Sequence, residues 1–177
     1  MRAVPARLVA LAVVAFALFA VPDTGFGQRD VPGGFGHGTG AAGDLGDGND
    51  RYIGAASAFN LVLAGLGDDK LTGGNLRDSL QGGAGSDRAS AGAGRDVAVG
   101  NAGNDKLNGG ADDDVLSGNA DDDQLNGGSG ADLLGGGAGI DRLVGGPGPD
   151  QLIGGKGKDR LNGGPGNNTL VQDAPRK

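Results

Sequence analysis

A nine-residue phase runs without a slip from Ala64 to Val171, twelve units in a row. The sixth place of each unit reads Asp69, Asp78, Asp87, Asp96, Asp105, Asp114, Asp123, Asp132, Asp141, Asp150, Asp159 and Asn168. Two places later stands an aliphatic residue every time: Leu71, Leu80, Ala89, Ala98, Leu107, Leu116, Leu125, Leu134, Leu143, Leu152, Leu161, Leu170. Glycine crowds the first, second and fourth places. A short period held this long restricts the fold to one small unit stacked on itself, with each copy offering its carboxylate at an equivalent point.

Composition agrees only because of that period. Of 177 residues, 41 are Gly and 7 are Pro, a content that reads as disordered when it is aperiodic. Five Phe, one Tyr and no Trp cannot fill a conventional globular core. All 22 acidic residues are Asp, which points to selection of a short carboxylate in a defined position. The formal net charge of −7 argues against nucleic acid and anionic membrane as partners and in favour of cations. Cysteine is absent, so disulfides, thiol catalysis and thiolate metal sites are excluded. There is no histidine pair for a metalloprotease and no base beside the scattered serines, so the chain reads as non-catalytic.

The ends of the chain are different. Arg2 and Arg7 precede the unbroken apolar run 8–21, followed by Pro22, Gly25 and Gly27. This is the layout of a secretory signal peptide cleaved between about 20 and 27, and the run is short for a membrane span. The expected location is extracellular. Residues 28–54 form a Gly-rich spacer with one degenerate unit, in which Asp50 takes the acidic place and Tyr52 the apolar one; one extra residue at Gly54 follows. Residues 55–171 are the expected roll, and 172–177 a short polar tail. The apolar stretch 55–63, with Asn60 in the acidic place and Val62 in the apolar one, is expected to cap the first coil, since an open solenoid end exposes its core. His37, the single histidine, reads as a solvated loop residue.

The consensus G-G-x-G-x-D-x-L-x puts three extended residues at its end, and three-residue strands bury a Leu only when stacked. The first six residues read as the turn. The second place is Gly except for Asn101 and Asn119, and the fourth is Gly except for Asp112, Asp121 and Leu76. Asn and Asp are the residues besides Gly that best tolerate positive φ, so both places are expected to be left-handed, with Leu76 unexplained. Such turns leave carbonyls unscreened near Gly83, Gly85, Gly92, Gly94, Gly103, Gly110, Gly128, Gly130, Gly137, Gly139, Gly146, Gly148, Gly155 and Gly157. Carbonyls and carboxylates together make an all-oxygen site, which suits Ca²⁺.

The unit resembles the RTX, or haemolysin-type, calcium-binding nonapeptide. Residues 127–135, 136–144, 145–153 and 154–162 match its pattern at every defined place. The resemblance implies an all-β, right-handed parallel β-roll with two units per coil and calcium held between turns 18 residues apart. One flank would run Asp69, Asp87, Asp105, Asp123, Asp141, Asp159, with Asp69 at its end. The other would run Asp78, Asp96, Asp114, Asp132, Asp150, Asn168. Same-flank neighbours would then hold up to about ten ions. Strands lie about 4.8 Å apart, and like charges at that range repel by roughly 3–4 kcal/mol at an effective dielectric near 20. The metal is therefore expected to be part of the fold. The functional reading is a secreted, non-catalytic calcium-binding module with structural or interaction duties. The alternatives are a module for an extracellular polysaccharide or cell-wall polymer, or a disordered remnant of a larger RTX exoprotein.

Overall fold

The computed structural model describes residues 42–172. The leader, His37, most of the spacer and the end of the tail lie outside the described residues. Within them the chain is all-β and forms two parallel sheets. The first sheet holds eight strands in the order β1 (Ala42–Asp44), β3 (Leu61–Leu66), β5 (Ser79–Ala84), β7 (Val97–Ala102), β9 (Val115–Ala120), β11 (Leu133–Ala138), β13 (Gln151–Lys156) and β15 (Thr169–Val171). The second holds seven: β2 (Arg51–Ile53), β4 (Lys70–Thr72), β6 (Arg88–Ala93), β8 (Lys106–Ala111), β10 (Gln124–Ser129), β12 (Arg142–Val144) and β14 (Arg160–Asn162). Alternate units feed alternate sheets, so each strand pairs with the one 18 residues away, as Leu116 does with Leu134 and Leu125 with Leu143. This is the parallel β-roll, two units to a coil. Among the described residues no helix is long and apolar enough to cross a membrane.

The apolar places make the core. Val62, Leu80, Ala98, Leu116, Leu134 and Leu152 line the inside of the first sheet; Tyr52, Leu71, Ala89, Leu107, Leu125 and Leu143 line the second. Each column is one side chain wide, because successive residues of a strand point to opposite faces. The columns thin at Ala89 and Ala98. Leu170, on the last strand of its sheet, is half exposed.

Three features depart from the sequence reading. The strands are longer than three residues: most run through the seventh to ninth places and on through the first three of the next unit, as in Ser79–Ala84. Glycines there pair in register, Gly65 with Gly83, so the turn shrinks to the fourth to sixth places. Strands stop short where the next unit carries Pro147 or Pro165 at its third place, since proline has no N–H to donate to the preceding coil. Second, the stretch 55–63 is not an end cap. Leu61–Leu63 pair with Ala42–Asp44 on one side and with Ser79–Gln81 on the other, and Phe59 stays exposed. A buried strand with neighbours on both edges covers no open end. Third, β1 and β2, ahead of residue 55, already belong to the two sheets. They pair across 19 residues, Tyr52 with Leu71, absorbing the one-residue insertion without disturbing the face on which Tyr52 is buried.

Candidate metal centre

The turns begin with backbone conformation. Asn101, Asn119, Asp112 and Asp121 have φ of 88°, 84°, 74° and 73°, as the substitution pattern required. Leu76 has no left-handed φ, and neither does Gly74 in the same unit. That turn adopts another conformation altogether, with the Gly74 N–H donating to Asp78 Oδ2 at 2.5 Å. Leu76 thus fits the fourth place because this turn gives up the left-handed path, as does the turn of Ala56 and Ala58 one unit earlier.

The sixth-place Asp side chains from Asp69 to Asp150 are buried, and Asp159 is half-buried. They form two continuous ladders. The N–H of Asp105 donates to Oδ1 of Asp123, and the N–H of Asp123 to Oδ1 of Asp141, both at 2.9 Å. The same bond joins Asp69 to Asp87 and Asp87 to Asp105 at 2.8 Å, and Asp141 to Asp159 at 3.0 Å. On the other flank it links Asp78, Asp96, Asp114, Asp132, Asp150 and Asn168 in turn, at 2.6 to 3.0 Å. Asp69 is not the end of its ladder, because Oδ1 of Asp69 accepts the Asp50 N–H at 2.7 Å. The degenerate unit therefore extends the flank by one coil.

The second carboxylate oxygen is treated differently. Oδ2 of Asp69, Asp87, Asp96, Asp105, Asp114, Asp123, Asp132, Asp141 and Asp150 is buried with no hydrogen-bond partner. It lies against the first-place residue of its own unit: a Cβ built on Gly100, Gly118 or Gly127 would collide with Oδ2 of Asp105, Asp123 or Asp132. Only Ala64 and Ala91 break the glycine rule there. An unpartnered buried anionic oxygen is costly. Burial, opposed by the backbone N–H bond and assisted by same-flank carboxylates, raises Asp69, Asp96 and Asp105 to about 6. Asp132 rises to about 6 as well, and Asp114 and Asp123 to about 7. Asp87 and Asp141 are also raised, first by burial.

Asparagine in the same place shows what the orphaned oxygen lacks. Asn60 is fully buried, and its Nδ2 donates to the carbonyls of Ala55 and Ala58, at 3.4 and 3.1 Å, and to Oδ1 of Asp78 at 2.7 Å. Asn168 Nδ2 likewise donates to the Gly164 carbonyl at 2.9 Å. The positive end of an amide is thus satisfied by turn carbonyls and a carboxylate. Aspartate in that place has the oxygens without the positive partner, so the donor set fits a hard cation. Among the described residues no three acidic or histidine side chains gather into a cluster, so a cation here must take much of its coordination from backbone carbonyls.

The family comparison agrees with this chemistry. The model of the RTX calcium-binding nonapeptide repeat, four copies long, matches residues 63–98, 72–107, 99–134 and 135–170. The chain belongs to the RTX calcium-binding nonapeptide repeat family. Searches of curated proteins and of solved structures return no match. As an RTX roll the molecule is a calcium-binding repeat protein, and the RTX unit itself is structural rather than enzymatic.

The consensus leaves the fifth place of the RTX unit undefined, yet it makes a second, outer ladder. Ser86, Ala131 and Ile140 donate their N–H groups to Oδ1 of Asp68, Asp113 and Asp122, at 2.8, 2.9 and 2.7 Å. Asp122 in turn donates its own N–H to Asn104 Oδ1 at 2.9 Å. The signal was the run of Asp and Asn at that place, obscured by the stricter sixth. The left-handed Asp112 and Asp121 also accept N–H bonds from Gly94 and Gly103, at 3.3 and 3.1 Å.

Proposed function

We propose that the protein is a secreted, non-catalytic module whose roll is completed by calcium ions bound along both Asp ladders. The observation that supports this best is the row of buried, unpartnered Oδ2 atoms, matched at Asn60 and Asn168 by amides that close the same turns. The side chains assigned are Asp69, Asp78, Asp87, Asp96, Asp105, Asp114, Asp123, Asp132, Asp141, Asp150, Asp159 and Asn168. The carbonyls are those of the second and fourth places named above. Bound calcium supplies positive charge to carboxylates that are otherwise buried without it. Asp78, whose Oδ2 already accepts the Gly74 N–H, Asp159, whose Oδ2 accepts from Gln172 Nε2 at 2.7 Å, and Asn168 would hold an ion more weakly than the rest. A chain bearing a secretory leader meets calcium only outside the cell, where such modules work at roughly 10⁻⁴–10⁻³ M, so folding would follow export.

The test is equilibrium dialysis of the full chain against calcium and, separately, magnesium. Several calcium ions per chain are expected, approaching about ten, one for each same-flank pair with Asp150–Asn168 included, with little magnesium retained, because magnesium demands a tight octahedron. One ion or none, or equal retention of both metals, would contradict the assignment.

A further inference from the structure

The two sheets carry the same nonapeptide but present different outer faces. On the second sheet the seventh place reads Arg51, Lys70, Arg88, Lys106, Gln124, Arg142, Arg160, in direct register from strand to strand. All seven are exposed. With strands about 4.8 Å apart, the row is about 29 Å long. On the first sheet the same place reads Leu61, Ser79, Val97, Val115, Leu133, Gln151 and Thr169, with no charge. Solubility alone would not put every charge of this kind on one face. Like charges directly opposite on neighbouring strands destabilise a sheet, and none of the six cations is ion-paired; the one ion pair among the described residues joins Arg95 to Asp113 on a turn. The net charge of −7 conceals this row, because from Asp47 to Asp159 the acidic residues lie outside the named strands.

We propose that this face binds a linear acidic polysaccharide, a polyuronate, laid along the roll axis across the strands. Such a polymer carries a carboxylate on each sugar, a repeat comparable with the strand spacing, so successive anions meet successive cations. The ninth place beside the row offers Thr72, Ser90, Asn108, Asn126 and Asn162 to sugar hydroxyls, with Asn126 Nδ2 already bonded to Asn108 Oδ1 at 2.6 Å. A shallow groove at the middle of the row is lined by Lys106, Gln124 and Arg142 with Asn108, Asn126 and Val144. Neither the seventh nor the ninth place of this sheet carries an aromatic residue, the stacking platform that single-stranded nucleic acid uses. This binding goes beyond calcium binding and requires only that the roll be folded.

The probe is a galacturonate octamer, too short to gel with calcium, titrated into the calcium-loaded full chain by calorimetry. Its methyl-esterified form is the neutral control. The triple variant R88Q/K106Q/R142Q should bind the octamer at least tenfold more weakly, with a shallower salt dependence. R77Q/R95Q/K158Q removes the same charge from the turns and should bind as wild type. Gln124→Arg fills the gap in the row and should bind severalfold more tightly, which keeps the idea testable if the triple variant fails to show the calcium-dependent circular dichroism of the wild type. Equal loss in both triple variants would reduce the effect to net charge and overturn the proposal. So would equal binding of the esterified octamer, or tighter binding of a single-stranded oligonucleotide or of anionic vesicles at matched charge.

Discussion

At the scale of the residue, everything turns on what one Asp side chain does with its two oxygens. Oδ1 accepts a hydrogen bond from the coil before it, and in most of the ladder Oδ2 is buried with no hydrogen-bond partner. Substitutions at Asp123 separate the two roles. Asp123→Asn keeps an acceptor for the Asp105 N–H and adds an amide able to donate to a turn carbonyl, as Asn60 does. It should cost calcium but little local structure. Asp123→Ala removes both oxygens and should cost a further 1–2 kcal/mol or so for the unsatisfied backbone donor. Asp123 lies mid-ladder, so its Ala variant should bind about two fewer calcium ions, whereas Asp159→Ala, last on its flank, should bind about one fewer. Asp122→Ala removes only an exposed bond to the Ile140 N–H and should leave calcium stoichiometry intact. If Asp122→Ala loses as many ions as Asp123→Ala in equilibrium dialysis, the assignment of the sixth place is wrong.

Protons compete for the same oxygens. In the calcium-free chain, burial lifts Asp114 and Asp123 to about 7 and several others to about 6, from an ordinary value of 3.8. The folded state therefore holds more protons than the unfolded state between pH 4 and 7, and stability must fall as pH rises through that window. Chelated protein should show more β-structure by circular dichroism at pH 4.5 than at pH 8. Less β-structure at the acidic pH would mean that the carboxylates are not buried as described.

At the scale of the element, the unit is uneven. Ala98 stands in register between Leu80 and Leu116, and Ala89 between Leu71 and Leu107. Leu against Ala in a core is worth roughly 2–5 kcal/mol, so residues 82–99 should exchange amide hydrogens fastest within the calcium-loaded roll. Uniform protection across 64–171 would contradict this. Ala98→Leu should raise the melting temperature by a few degrees; an unchanged or lower value would show that the coil has closed to the size of alanine. The thinning at Ala89 and Ala98 was legible in the sequence, as were the strand positions and most of the left-handed turn places, because each follows from a periodicity or a steric rule applied to named residues, whereas the two-unit coil was implied only by the family resemblance. The extension of the strands into Gly82–Ala84 was not visible, since glycine carries no strand signal and its pairing depends on the neighbouring coil. The true place of 61–63 was hidden because its outer partner, Ala42–Asp44, lies in a stretch with no readable period. The basic row escaped a reading by unit because it exists only in every second copy.

At the scale of the whole molecule, the roll is a one-dimensional stack in which each coil touches only its neighbours. Its columns hold one side chain per unit, so apolar burial is modest, and two files of buried carboxylates oppose closure at neutral pH. Binding that is confined to the folded state stabilises it by mass action, and under the proposed assignment many equivalent sites would act on one chain. The most direct measurement is far-ultraviolet circular dichroism of the full chain at pH 8, first in chelator and then through a calcium titration, with magnesium in parallel. The account predicts a coil spectrum in chelator, a cooperative change to β-structure with added calcium, and little response to magnesium. A β spectrum already complete in chelator and unaltered by calcium would contradict it.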